Sequence, residues 1–230
     1  MPDDPIQGFG ERIIRRARLP TAALLALPLV AIAIRYFIFL VDHNFGIISA
    51  LDQLKKDVAV FAFLSAIPTI ALAFSRELQV HQGLDRLLGV RGEVNRRIAT
   101  LMQALAESSG YEHPERIIAN KIETMKWFYV YANVPSALRT YAFEVWEGYY
   151  VGLYLSVASA ISFIVCLLLA ILFEDRIAMA FAILSLLIFL VVWAVRHWHT
   201  VPRLMHIPAQ QIGEIVPSGE VLNEARRRFG

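Results

Sequence analysis

Arg35 places a guanidinium within an otherwise apolar run at residues 21–41. A charge at the bilayer centre costs about 2.5–3.5 kcal/mol on insertion scales, so such charges face a protein interior, a partner or a water path. Arg35 lies six residues from the end of the run, about 9 Å at the helical rise, so it can also snorkel to the interface. The functional interpretation is an anion-favouring constriction or an ion pair. The carboxylates available for pairing are Asp42, Asp57, Glu174 and Asp175.

A second polar group lies in the short apolar run at residues 58–74, where Ser65, Pro68 and Thr69 stand near the middle. Proline removes a helical hydrogen bond and kinks the helix, and neighbouring hydroxyls can bond the freed carbonyls. This group is a structural kink by default, and it also suits a gating hinge or a pore-lining break. With Arg35, these residues are the candidate pore or intramembrane polar residues.

Catalytic and metal chemistry have little support in this sequence. His197 and His199 are two residues apart, so a helix would point them to nearly opposite faces. No cluster of cysteines or carboxylates lies near them or near His206 in the sequence. A zinc site needs about four ligands at matched spacing. The metalloprotease, hydrolase, phosphate-loop and dinucleotide motifs are also absent from the sequence. We therefore expect no catalytic residue, no cofactor and no metal, and a protein that is not an enzyme.

The elements that hold these residues are membrane helices. The 230 residues are 57% hydrophobic and 18% charged, against about 45–50% and about 25% in soluble domains. Four apolar runs, at 21–41, 58–74, 151–173 and 177–195, approach or exceed the roughly 20 residues that span a bilayer. The runs do not alternate as barrel strands do. The sequence predicts an all-α integral membrane protein with four transmembrane helices.

The basic residues indicate the orientation of these helices. Eighteen of the 22 lysine and arginine residues fall on one side if the helices alternate, which predicts cytoplasmic N- and C-termini in an inner (plasma) membrane. The expected organisation is a basic N-terminal arm (1–20), a first transmembrane pair (21–74), a cytoplasmic helical region (75–150), a second transmembrane pair (151–195) and a cytoplasmic tail (196–230).

The cytoplasmic region carries two apolar seams with heptad-like spacing, separated by Ser108-Ser109-Gly110 and Pro114. They predict a helical hairpin between the second and third transmembrane helices. A hairpin buries little by itself, so its seams face either a second copy or another protein, or they pack against residues 138–146 of the same chain. The seam residues are Val94, Ile98, Leu101, Leu105, Ile118, Ile122, Met125 and Tyr129.

Gly152, Ser156 and Ala160 form a small-residue stripe on the third span, and Ala178 and Ala182 form a lesser one on the fourth. Such stripes let helices approach closely, within one chain or between chains. Aromatic residues mark the inner ends of the same two spans and suit the headgroup level. They are Trp146, Tyr149, Tyr150, Trp193 and Trp198.

The two ends of the chain are less regular. The arm is either an interfacial helix or a positively charged flank, and Gly8 and Gly10 favour the flank. Pro202, Pro208 and Pro217 predict an extended linker over residues 200–218.

Two functions follow from this architecture. The first is an oligomeric protein that acts on the bilayer as a pore, channel or permeability effector, gated through its cytoplasmic helices. Four-span membrane effectors of bacterial defence systems resemble it in architecture alone. The second is a non-conducting anchor, assembly factor or accessory subunit, favoured by the low polar content of the spans. The expected partners are lipid, further copies and a cytoplasmic protein, without direct nucleic-acid binding.

Overall fold

The computed structural model describes residues 8–43 and 135–215, together with 92–94, 96, 100, 223 and 227. These described residues are almost entirely helical and contain no strand. The predicted second span at 58–74 lies outside them, with Ser65, Pro68 and Thr69. So does most of the predicted hairpin, including Ile98, Leu101, Leu105, Ile118, Ile122, Met125 and Tyr129.

Within residues 8–43 and 135–215 the chain forms four α-helices. They are α1 (Phe9–His43), α2 (Ser136–Phe173), α3 (Arg176–Val195) and α4 (Val201–Ile215), and a π-helical segment at Arg196–Thr200 joins the last two. Three stretches are long and apolar enough to cross a membrane, at Phe9–Ile38, Ser136–Phe173 and Arg176–Gln211. The described residues thus form an all-helical chain of the kind that is embedded in a membrane by several passes.

The N-terminal arm belongs to the first membrane helix. Gly8 takes a φ of +85° immediately before α1, a value that glycine adopts without strain, and the Arg12 amide donates to the Gly8 carbonyl at 2.9 Å. The buried positions Ile13, Ala17 and Thr21 follow at four-residue steps. The preference for a flank over a helix was wrong from Phe9 onward, because this buried face continues through the arm.

The expected extended linker is also wrong over Val201–Ile215, which is α4. Pro202 lies in the first turn of this helix, where its missing N–H is tolerated. Leu204, Ile207 and Gln211 are buried at helical spacing, so one packed face offsets the hydrogen bond that Pro208 removes.

The chain divides into two compact units. The first comprises residues 1–81 and 150–196, and the second comprises 82–149 and 197–230. One boundary therefore falls within α2 and the other within the π-helical segment. The transmembrane helix contacts described below all lie in the first unit.

In the first unit, α1 and α2 run parallel. The rings of Phe9 and Tyr150 meet edge to face with centroids 6.3 Å apart at the start of α1. Further along, the Ser162 hydroxyl bonds the Leu24 carbonyl. Near the end of both helices, an apolar cluster joins α1, α2 and the start of α3; it contains Ile32, Tyr36, Val165, Leu169, Ala170 and Ala178. The contacts advance along both helices in the same direction, which defines parallel pairing.

The middle contact between α1 and α2 follows from a proline. In a regular helix the amide of residue 28 would donate to the carbonyl of Leu24, but Pro28 has no N–H. An unpaired carbonyl in an apolar environment costs several kcal/mol, so a donor from another helix is strongly favoured. The fully buried Ser162 hydroxyl of α2 supplies it.

The other buried serines of α2 bond within their own helix. Ser156 donates to the carbonyl of Gly152 at 2.8 Å, and Ser159 donates to that of Leu155 at 2.7 Å. Ser159 is as fully buried as Ser162. It therefore offers a matched control in which a hydroxyl is lost without freeing a carbonyl on α1.

We predict that Ser162→Ala lowers the free energy of unfolding by about 0.6–1.7 kcal/mol, the range of interhelical hydrogen bonds in membranes. Ser159→Ala should change it by less than about 0.5 kcal/mol, because the Leu155 carbonyl retains its backbone donor. In a Pro28→Ala background the restored amide can bond Leu24, so Ser162→Ala should then cost less. Reversible unfolding in mixed micelles measures the free energy of unfolding of each variant. If Ser162→Ala costs as much in the Pro28→Ala background as in the wild type, Pro28 is not the reason for the contact.

Candidate functional site

The α2–α3 connection carries the polar groups nearest to Arg35. Glu174 follows the last residue of α2 with a φ of +48°, in the left-handed region. The Asp175 amide then donates to the Ala170 carbonyl at 3.1 Å. This is the Schellman ending of a helix, in which the left-handed position usually holds glycine. The chain therefore reverses within two residues.

Asp175 also begins α3. Its Oδ1 accepts from the amides of Ile177 at 2.8 Å and Ala178 at 3.3 Å. These amides have no partner within the helix, and aspartate is among the preferred residues at this position. The backbone amides of α3 therefore hold the Asp175 carboxylate in place, independently of any charged side chain.

Arg35 reaches this connection from α1. Its Nη1 lies 3.8 Å from Oδ2 of Asp175, and its guanidinium lies over the Phe173 ring at 5.2 Å from the centroid. The Arg35 side chain is 45% exposed and that of Asp175 is 10% exposed. The predicted partners Asp42 and Asp57 lie outside the side chains that the structure describes; of the other two, Glu174 and Asp175, it is Asp175 that lies beside Arg35. The separation exceeds a direct hydrogen bond, so the attraction is weak and electrostatic.

The small-residue stripes lie at contacts within this chain. A Cβ on Gly152 would meet the Arg196 side chain at 3.9 Å, an ordinary contact with the far end of α3. Ser156 is buried and Ala160 half-buried. On α3, Ala178 and Ala182 are buried, and Ser185 extends their stripe by one turn. Contact between different chains is therefore not needed to explain these small residues.

The aromatic residues divide into two groups. Trp193 is 42% exposed and Trp198 is 73% exposed, so both rings are available to headgroups. Tyr149 and Tyr150 are buried in the protein. The Tyr149 ring packs edge to face on Trp146 at 5.8 Å. The expectation that these two tyrosines anchor the protein in lipid was wrong, because their rings contact protein.

The remaining candidates form no chemical centre in the described part of the chain. His197, His199 and His206 are all exposed, and no three His, Cys, Asp or Glu side chains among the described residues come together as metal ligands. Cys166 is a buried free thiol. Of the predicted interaction seam, the described Val94 is buried.

Sequence reasoning missed Ser162 and Phe173. The sequence shows serines at every third position, 156, 159 and 162, and Pro28 indicates that the Leu24 carbonyl needs a donor. The pairing between them depends on helix register. Phe173 resembled any other apolar residue of its span until the structure placed Arg35 over its ring.

No protein-family model, curated protein or solved structure matches this chain.

We predict that Glu174→Gly raises the free energy of unfolding by about 0.5–1 kcal/mol, since glycine adopts the left-handed conformation without a Cβ penalty. Glu174→Ala is the matched control, because it removes the same carboxylate and keeps the Cβ. Unfolding in mixed micelles should show a gain for glycine alone. A similar gain for alanine would attribute the effect to charge.

Proposed function

We propose that the chain crosses the membrane four times. The parallel pairing of α1 and α2 supports this number, because the chain between two parallel membrane helices must cross the bilayer an odd number of times. Residues 44–135 contain one apolar run long enough for a further crossing, at 58–74. That run would return the chain to the side from which it started.

The proposed orientation has both termini inside and the α2–α3 connection outside. The basic residues support it, because residues 1–20, 75–150 and 196–230 hold 18 of the 22 lysines and arginines. This asymmetry is typical of a protein of the inner (plasma) membrane whose basic segments lie in the cytoplasm. The region at 75–150 is then a cytoplasmic helical hairpin.

The activity that the geometry supports best is that of a non-conducting membrane anchor or accessory subunit. The observation that carries this proposal is that the three buried serines of α2 and Arg35 of α1 all contact protein groups. Ser156 and Ser159 bond their own helix, Ser162 bonds α1, and Arg35 pairs with Asp175. A water-filled path would need such groups facing outward or into a lumen.

The outward faces of the same helices support this proposal. Large apolar side chains are exposed along α2 and α3, as expected for contact with lipid. On α3 they lie opposite the buried stripe of Ala178, Ala182 and Ser185. The exposed residues of α3 include Met179, Ile183, Leu184, Leu187, Leu190 and Val191.

In this proposal the cytoplasmic hairpin docks the partner. Its seams supply apolar side chains at the spacing of a helix–helix contact. The partner is a cytoplasmic protein or a second copy that covers this seam, while the transmembrane helices hold it at the membrane.

An oligomeric pore, channel or permeability effector gated through the cytoplasmic helices is the second candidate. The observation that favours it is the 45% exposure of the Arg35 side chain near the end of α1. A ring of such arginines from several copies would favour anions. Ser65, Pro68 and Thr69 would then supply the hinge or the pore lining.

The topology is tested with single cysteines in a Cys166→Ala background. Gly10, Glu174 and Gln210 are exposed positions, and we expect a membrane-impermeant maleimide on intact cells to label Glu174→Cys alone. All three should react after permeabilisation. Labelling of Gly10→Cys together with Glu174→Cys on intact cells would contradict four spans with internal termini.

The activity is tested by comparing flux with partner retention. We expect purified protein in liposomes to leave anion and cation flux at the level of empty liposomes, because Arg35 and the buried serines of α2 contact protein. A leak that Arg35→Gln alters, and Arg176→Gln does not, would instead support the pore.

Partner retention is tested on the seam. Leu101→Asp should release a stoichiometric partner or dissociate a homo-oligomer, because it places a charge on the apolar contact. Thr100 is exposed, so Thr100→Asp is the matched control and should retain the native mass. Equal native masses for Leu101→Asp and wild type, measured in nanodiscs, would contradict docking through this seam.

A further inference from the structure

Arg35 retains most of its hydrogen-bonding capacity in this structure. A guanidinium carries five N–H donors. Within the described part of the chain, the contacts of Arg35 are the Phe173 ring and the Asp175 carboxylate, which lies 3.8 Å away. Neither is a hydrogen bond, since the ring offers only its face and the carboxylate is too distant. A half-exposed guanidinium with unused donors can bind an additional acceptor.

Asp175 cannot move closer without loss to α3. Its Oδ1 accepts two backbone amides at the start of that helix, and removing such a cap costs about 0.5–2 kcal/mol. The carboxylate thus attracts Arg35 without satisfying its donors. The guanidinium also lies over the Phe173 ring, 5.2 Å from its centroid, so two contacts position the group before a ligand binds.

The surroundings of Arg35 combine a polar connection with exposed apolar side chains. Glu174 is exposed on the α2–α3 connection. Ile38, one helical turn after Arg35, is 45% exposed, and Leu172, immediately before Phe173, is 72% exposed. A ligand at this place would meet a cation, polar groups and apolar side chains together. That combination matches the phosphate, headgroup and acyl chains of a phospholipid.

We propose that Arg35 binds the phosphodiester of a phospholipid, with the Phe173 ring beneath the guanidinium and the acyl chains against neighbouring apolar side chains. Arginine suits this ligand because its planar fork can donate two hydrogen bonds to one phosphate. Asp175 competes with the phosphate for the same cation. The orientation proposed above decides which membrane leaflet supplies this lipid, and the cysteine labelling tests that orientation. Binding of the lipid by Arg35 does not depend on it.

Native mass spectrometry tests this site on the delipidated full chain titrated with dioleoyl phosphatidylglycerol. We expect Arg35→Gln to weaken binding of the first lipid by about five- to tenfold, as for loss of a charge-assisted bidentate contact. Arg176→Gln is the matched control, since it removes an exposed arginine from the adjoining connection and should change affinity less than about twofold. Equal weakening by both variants would overturn the proposal.

Asp175→Asn provides a second test with the opposite sign. The amide oxygen can still accept at the start of α3, and Arg35 remains, so the protein should fold. Because the competing anion is gone, lipid affinity should rise by about two- to threefold. Unchanged or weaker binding would overturn the proposal. Displacement of the lipid from wild-type protein by inorganic phosphate alone would also overturn it, because the site would then bind a free anion.

Discussion

The hydrogen bond between Ser162 and the Leu24 carbonyl is the buried polar contact that joins α1 and α2 at the middle of this membrane unit. Pro28 creates the need for it by removing the amide that would otherwise bond Leu24. Lipid tails offer no donor, so the carbonyl is satisfied where α2 presents a hydroxyl at the same depth. The packing contacts on either side of this bond agree with the same register of α1 and α2.

The two ends of the helix pair follow from that register. Towards the start of α1 it brings Phe9 against Tyr150, and towards the other end it brings Ile32 into the cluster with Leu169. Arg35 is then level with the α2–α3 connection, where Asp175 is already committed to the amides of α3. The weak ion pair is a result of this alignment and contributes little to maintaining it.

The sequence predicted most of the helical architecture and little of the site. The apolar runs at 21–41, 151–173 and 177–195 fall within the three membrane-type helices, because burial in lipid depends on composition. The arm and Val201–Ile215 were missed, because glycine and proline were given more weight than the helical spacing of Ile13 and Ala17, or of Leu204 and Ile207. Pro28 revealed which carbonyl lacks a donor, but the identity of the donor depends on how helices distant in sequence pair.

The pairing of Leu24 with Ser162 also has a consequence for biosynthesis. The donor lies 138 residues after the acceptor, so a ribosome working at ~5–20 residues per second makes it about 7–28 s later. During that interval the Leu24 carbonyl of α1 lacks both the amide that Pro28 removes and the hydroxyl that α2 later supplies. The newly made first helix therefore needs temporary protection by water, a chaperone or the insertion machinery. A substitution at Pro28 would relieve this requirement even if the stability of the finished protein were unchanged.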